Sequence, residues 1–325
     1  MNTTDTDVAS MVSPADVILP YCGSAPSPGE LAMRWNFDPL LLALLSTTLV
    51  AYLAGAWRLR HVHRSAARGA DTPSTAQQGC FIAGWSIAAL ALVSPLCALS
   101  VALFSARVAQ HLLLMLVAAP LVMLGRPAAM FAALGLMHGF PRGANLAAAW
   151  LAFTLLLWGW HTPGPYQASF GSDAAYWAMH LSLFASACLL WGALFARGAR
   201  SMPAAMWAGV ASGMQMGLLG ALLTFAPRAL YPVHELSAIA WGLSALEDQQ
   251  LGGLLMWVPG GLLMLVAAMI ALGIALRDDE GGGLRFDGGD GPQPAKRMGA
   301  RLTATRTGAR LNPPPRNGPS DLRVP

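Results

Sequence analysis

The chain has 325 residues, 55% of them hydrophobic and only 11% charged, with a formal net charge of +4. Soluble domains carry about 25% charged residues, so this composition argues against a soluble enzyme and for a polytopic membrane protein. Lys296 is the single lysine and lies near the C-terminus, which argues against a retinal protein needing a Schiff-base lysine within a span.

Residues 1–38 are polar, contain proline and lean acidic, with Asp5, Asp7, Asp16, Glu30 and Asp38 against Arg34. They lack a basic start followed by an apolar run, so no cleavable signal peptide is expected. The first span is predicted over Pro39 to Trp57, followed by a basic loop with Arg58, Arg60, Arg64 and Arg68. The second is predicted over Gly79 to Leu99 and the third over Val108 to Leu124. The apolar connection from Arg126 to Arg142 is too short for two crossings and is assigned to the interface. The fourth span covers Ala144 to Trp160, the fifth Ala174 to Phe195, the sixth Ala204 to Phe225 and the seventh Gln249 to Leu276. The expected fold is therefore all-α with seven transmembrane helices across residues 39–276. The tail, 277–325, is rich in glycine, proline and arginine; it cannot bury a core and is expected to be disordered.

Seventeen basic residues fall on one side of this topology and three, Arg34, Arg107 and Arg228, on the other. The positive-inside rule then predicts an outer N-terminus and a cytoplasmic C-terminus. The basic tail reads as a solvated extension, with no nucleic-acid partner.

The last span has the clearest start. Ser244 and Glu247 have capping-box spacing, and Glu247 and Asp248 suit the positive end of the helix dipole. Pro259 is expected to free the carbonyl of Leu255. Gly252, Gly253, Gly260 and Gly261 leave room for a close neighbour, as does the Gly209, Gly213, Gly217 stripe of the sixth span.

The topology sorts the histidines. His61, His63 and His138 fall on the cytoplasmic side. His111, His161, His180 and His234 fall toward the outer face, from four different segments. Ionisable groups at the membrane are costly and are often functional, and imidazole with thioether suits copper. The metal candidates are His111, His180, His161, Met115, Asp248 and Cys22. Met115 follows His111 by four residues and so shares its helix face. Each has a plain alternative: an interhelical hydrogen bond for His111 and His180, a helix stop for His161, packing for Met115, capping for Asp248. His234 reads as a solvated loop histidine. Cys22 and Cys97 lie on the outer side and can pair or bind Cu(I) as thiolates, while Cys97 also reads as a small packing residue. No CxxC occurs, so no zinc or thioredoxin-type site is suggested. No nucleophile–base pair or phosphate loop stands out, so no enzymatic activity is expected.

Four stretches carry a family resemblance: QHLLLMLVAAPLVMLG (Gln110–Gly125), WHTPGPYQASF (Trp160–Phe170), LLTFAPRALYPVH (Leu222–His234) and GLSALEDQQLGGLLMWVPGG (Gly242–Gly261). Through them the chain, from about Cys22 to Ala275, resembles the polytopic CtaG-type cytochrome c oxidase assembly factors that accompany caa-type oxidases in bacteria. The resemblance implies a seven-span protein of the bacterial plasma membrane, partnered by cytochrome c oxidase subunits, that assists copper delivery or cofactor insertion at the outer face. Two departures matter. Many members read His-Met-x-Gln-His before the third span, where this chain has Arg107-Val108-Ala109-Gln110-His111. Many have Glu before the fifth-span histidine, where this chain has Met179. Two other functions compete. A copper-transporting permease needs ligands along a whole path, and the cytoplasmic halves supply few beyond Cys80 and Cys188. A haem-binding electron carrier needs paired axial ligands, which His111 and His180 can offer.

Overall fold

Apolar sequence in lipid must satisfy its backbone polar groups internally, and helices do this within one segment. The computed structural model describes residues 19–62, 73–136, 145–195, 202–266 and 269, and among them every regular element is helical, with no strand. They all belong to one unit, Met1–Gly283; a second unit, Leu284–Pro325, lies outside the described residues, as do His63, His138 and the whole tail.

The elements in order are α1 (Pro39–Val62), α2 (Thr75–Val93), α3 (Leu96–Ala102) and α4 (Phe104–Leu112). A π-helical stretch, Leu113–Ala118, leads into α5 (Ala119–Leu124) and then α6 (Pro127–Ala133). After these come α7 (Leu146–Trp160), α8 (Pro163–Gly171), α9 (Asp173–Phe195), α10 (Met202–Thr224) and α11 (Ala245–Leu255), the last followed by a π-helical stretch, Met256–Gly260.

Six helices among the described residues are long and apolar enough to cross a membrane: Pro39–His61, Thr75–Val93, Phe104–Leu124, Asp173–Phe195, Pro203–Thr224 and Ala245–Val266. α7 is also apolar but has 15 residues, about 22 Å at 1.5 Å per residue. Outward faces carry large apolar residues such as Leu40, Val50, Trp207, Met214 and Phe225, the pattern of a lipid-facing surface. The main core joins residues of α4, α7, α8, α9 and α10, including Phe104, Met115, Phe153, Tyr166, Met179 and Met216.

Local sequence explains most breaks. Ser244 forms the expected capping box with Glu247, and Ser74 forms a second one with Gln77. The second span ends at Val93 rather than Leu99. Pro95 disfavours the helical region for its predecessor, Ser94 is extended at ψ 170, and Leu96–Ala102 becomes a separate buried helix. Both π stretches coincide with prolines: Pro259 lies within one, and Pro120 follows the other. Proline removes a hydrogen bond and crowds the carbonyl four residues back, and widening the turn relieves that crowding. In the first stretch the Met115 carbonyl accepts from the Trp191 indole at 3.0 Å, so α9 uses the displaced backbone.

Glycine sets the crossing of α10 and α11. A Cβ on Gly220 would lie 2.7 Å from the Gly253 carbonyl, and one on Gly253 would lie 2.6 Å from the Gly220 carbonyl. α10 and α11 therefore meet backbone to backbone here. Gly213 and Gly217 of the small-residue stripe meet looser surroundings: a Cβ on either would make ordinary contact with Met264 or Trp257.

A candidate metal centre of three imidazoles

α4, the end of α7 and α9 converge on one point in the interior. His111 lies on α4, His161 caps the C-terminus of α7 and His180 lies on α9. The His111 ring centre is 5.0 Å from that of His180 and 6.4 Å from that of His161, edge-on to both. All three are buried. The sequence placed these histidines toward one face; the tertiary structure brings their rings into one cluster.

Proton placement follows from the partners. A carbonyl can only accept, so the nitrogen facing it must carry the proton. His161 Nδ1 donates to the Leu157 carbonyl at 2.7 Å, which leaves Nε2 of the neutral ring with its lone pair. His180 Nδ1 donates to the Tyr176 carbonyl at 3.0 Å, while its Nε2 lies 3.4 Å from Gln110 Oε1. Gln110 Nε2 donates to the Ala91 carbonyl at 2.7 Å, which aims the amide oxygen at His180. A neutral imidazole has one N–H, and His180 faces two acceptors. The arrangement lacks a positive charge or an extra proton between Nε2 and Oε1. His111 goes further, since both its ring nitrogens are buried with no hydrogen-bond partner. An orphaned buried polar group costs about 1–3 kcal/mol. Burial pushes the His161 imidazole below its ordinary range, opposed by the bond to Leu157, so the ring is neutral and its lone pair is free to ligate.

The other candidates sit differently. Met115 is fully buried in the core on the same helix as His111. Asp248 is completely buried, and its carboxylate caps the start of α4. Oδ2 accepts from the Phe104 amide at 2.6 Å, and Oδ1 from the Ser105 amide at 3.1 Å and the Ser105 hydroxyl at 2.5 Å. α4 has no cap of its own, because Leu103 holds the N-cap position; a residue more than a hundred positions away supplies it. Cys22 is joined to Cys97 in a disulfide, so in this state neither sulfur is a thiolate ligand. The Tyr176 hydroxyl lies 3.4 Å and 3.6 Å from the two sulfurs, and its ring centre is 4.0 Å from that of His180. Among the described residues no three His, Cys, Asp or Glu side chains already stand as a preformed metal cage.

Two residues correct the sequence reading. His234 is buried, not a solvated loop histidine. Its Nε2 and the Tyr166 hydroxyl are 2.8 Å apart, and Nδ1 is 3.2 Å from the Ala102 carbonyl. Burial pulls its imidazole down to about 3. Arg107, counted as a charge flanking the outer side, is 1% exposed. Its Nε donates to the Ser100 carbonyl at 3.1 Å and Nη1 to Ser169 Oγ at 2.8 Å, while Nη2 is buried without a partner. Its carbon Cζ stands 4.0 Å from the Phe170 ring centre. Such a desolvated cation–π contact returns roughly 2 kcal/mol against a burial penalty of several kcal/mol per ion. The signal available in the sequence was its position: Arg107 precedes His111 by one helical turn.

No curated protein and no solved structure matches the chain. The model of the cytochrome c oxidase caa3 assembly factor family (Caa3_CtaG) matches residues 50–278, a span that contains all three imidazoles, and the chain therefore belongs to that family.

Proposed function

We propose that the protein is a non-catalytic membrane chaperone that holds copper at His111, His161 and His180 during assembly of a caa-type cytochrome c oxidase. The observation that carries this reading is the state of the ring nitrogens. His161 and His180 each give one N–H to a carbonyl of their own helix, the outer-shell arrangement that orients metal-ligating histidines. His111 offers two unpartnered nitrogens beside them. A bound cation would use the free lone pairs and separate the facing acceptors of His180 and Gln110. Neutral imidazole donors, with Met115 four residues beyond His111 in the π-helical stretch that continues α4, suit copper better than a hard cation such as Mg²⁺.

On this reading α7 is a seventh span, the N-terminus is outside and the cluster lies toward the outer face of the bacterial plasma membrane. The seventeen-to-three distribution of basic residues supports it, or seventeen to two once buried Arg107 is set aside. The Cys22–Cys97 disulfide also supports it, since disulfides persist in oxidising compartments. Docking on the oxidase would place the cluster near the subunit that receives the metal.

Copper analysis of purified, copper-loaded protein tests the site. The wild type should retain about one copper per chain, and H111A and H180A should lose most of it, because each removes a ligand from a set of three. Equal copper in wild type and both variants, each still present in the membrane, sinks the proposal. Reporter fusions at Arg200 and in the tail should both read cytoplasmic; a periplasmic signal from either overturns the orientation.

A further inference from the structure

We propose that Arg107 is the centre of an anion-binding site that takes a small monovalent anion, of the size of chloride or formate. The guanidinium is wholly buried, and its charge persists at any physiological pH because arginine does not titrate there. Two of its nitrogens are held, Nε by the Ser100 carbonyl and Nη1 by Ser169 Oγ. The third, Nη2, has no partner.

The surroundings supply no direct counter-ion. Rings of Phe170, Tyr166 and Tyr176 stand 4.0, 5.6 and 6.0 Å from Cζ. Among the described residues no carboxylate bonds to the guanidinium, and Asp248, the one fully buried acid, spends both oxygens on Phe104 and Ser105. The nearby hydroxyls donate elsewhere, Ser100 to the Cys97 carbonyl and Ser169 to the Tyr166 carbonyl. What is left over is N–H hydrogen and one positive charge. A water molecule would satisfy the first but not the second, whereas a small anion satisfies both. A single negative charge balances the guanidinium, and a divalent ion would reverse the imbalance in a low-dielectric interior. The firmly held Nε and Nη1 fix the guanidinium plane, so Nη2 presents a pre-oriented donor.

The inference does not depend on copper, and its test uses metal-free protein. Equilibrium dialysis of labelled chloride against purified full-length protein, with gluconate as the background anion, should show one saturable site that formate displaces. R107Q should abolish it, and R107K, which keeps the charge but loses the fork, should weaken it about tenfold. S169A removes the hydroxyl that holds Nη1 and should weaken binding by a smaller factor. If R107Q does not accumulate in the membrane, S169A decides. Absence of saturable binding in the wild type, retention of binding in R107Q, or unchanged affinity in S169A overturns the proposal. Protein that binds chloride but never copper sinks the copper reading alone.

Discussion

Glu247 and Asp248 are adjacent acids in the first turn of one helix, and they do different work. Glu247 is exposed and closes the capping box of α11 with Ser244. Asp248 points inward and caps α4. D248N keeps the shape but puts an N–H donor where one oxygen accepts, so an amide or hydroxyl at the start of α4 loses its partner. The expected cost is about 1–3 kcal/mol, read as a lower melting temperature in detergent, while E247Q should change little. His234 gives a pH dependence. Its pKa in the folded protein, about 3, lies below the ordinary value near 6.5. A group depressed in this way binds more protons when unfolded. Stability is then fully present above about pH 6.5 and falls as the pH drops toward 3, by about 1.4 kcal/mol per unit. Buried His161, shifted the same way, adds to the slope. Melting temperatures between pH 7 and pH 4 should decline steadily, and H234Q should flatten part of the decline.

Among the elements, the α10–α11 crossing leaves no room for a side chain at Gly220 or Gly253. G220V or G253V would drive a branched side chain into facing backbone, Gly253 and Trp257 in the first case and Gly220 and Thr224 in the second, and backbone cannot swing aside. Overpacking of this kind costs about 1–3 kcal/mol or more, and the variants should accumulate poorly in the membrane. G159A is the matched control, because a Cβ there meets nothing within 4 Å and alanine favours helix by about 1 kcal/mol. Equal tolerance of all three would mean that the two helices do not cross at these glycines. The contact holds the last turn of α11, the helix whose first-turn Asp248 caps the one carrying His111 and Arg107.

For the whole molecule, the disulfide ties the N-terminal segment to α3 across a sequence separation of 75. Closing a loop of that length stabilises by about 4 kcal/mol in the chain-entropy description. C97S, or reduction of the wild type, should therefore lower the melting temperature clearly without removing the helices seen by circular dichroism. If the three imidazoles bind copper as proposed, reduction should also alter copper affinity, because Tyr176 touches both the disulfide and His180. Copper affinity unchanged by reduction would separate the staple from the site.

The sequence by itself determined the helical class, the position of most spans and the capping box of the last one. Long apolar runs permit only internally bonded backbone in lipid, and caps are read within four residues. It also singled out His111, His161 and His180, because rare ionisable groups near apolar segments are conspicuous. What it left open depends on contacts between distant segments. The capping of α4 by Asp248 spans 144 positions from Phe104. The burial of His234 depends on Tyr166 and Ala102 from other elements. The burial of Arg107 could not be read from a charge that looked like a flanking residue. Local periodicity reports which way a residue faces along its own helix, whereas only the packed bundle decides what it meets there. That is why three histidines became a cluster, and one arginine a buried charge, only in the tertiary structure.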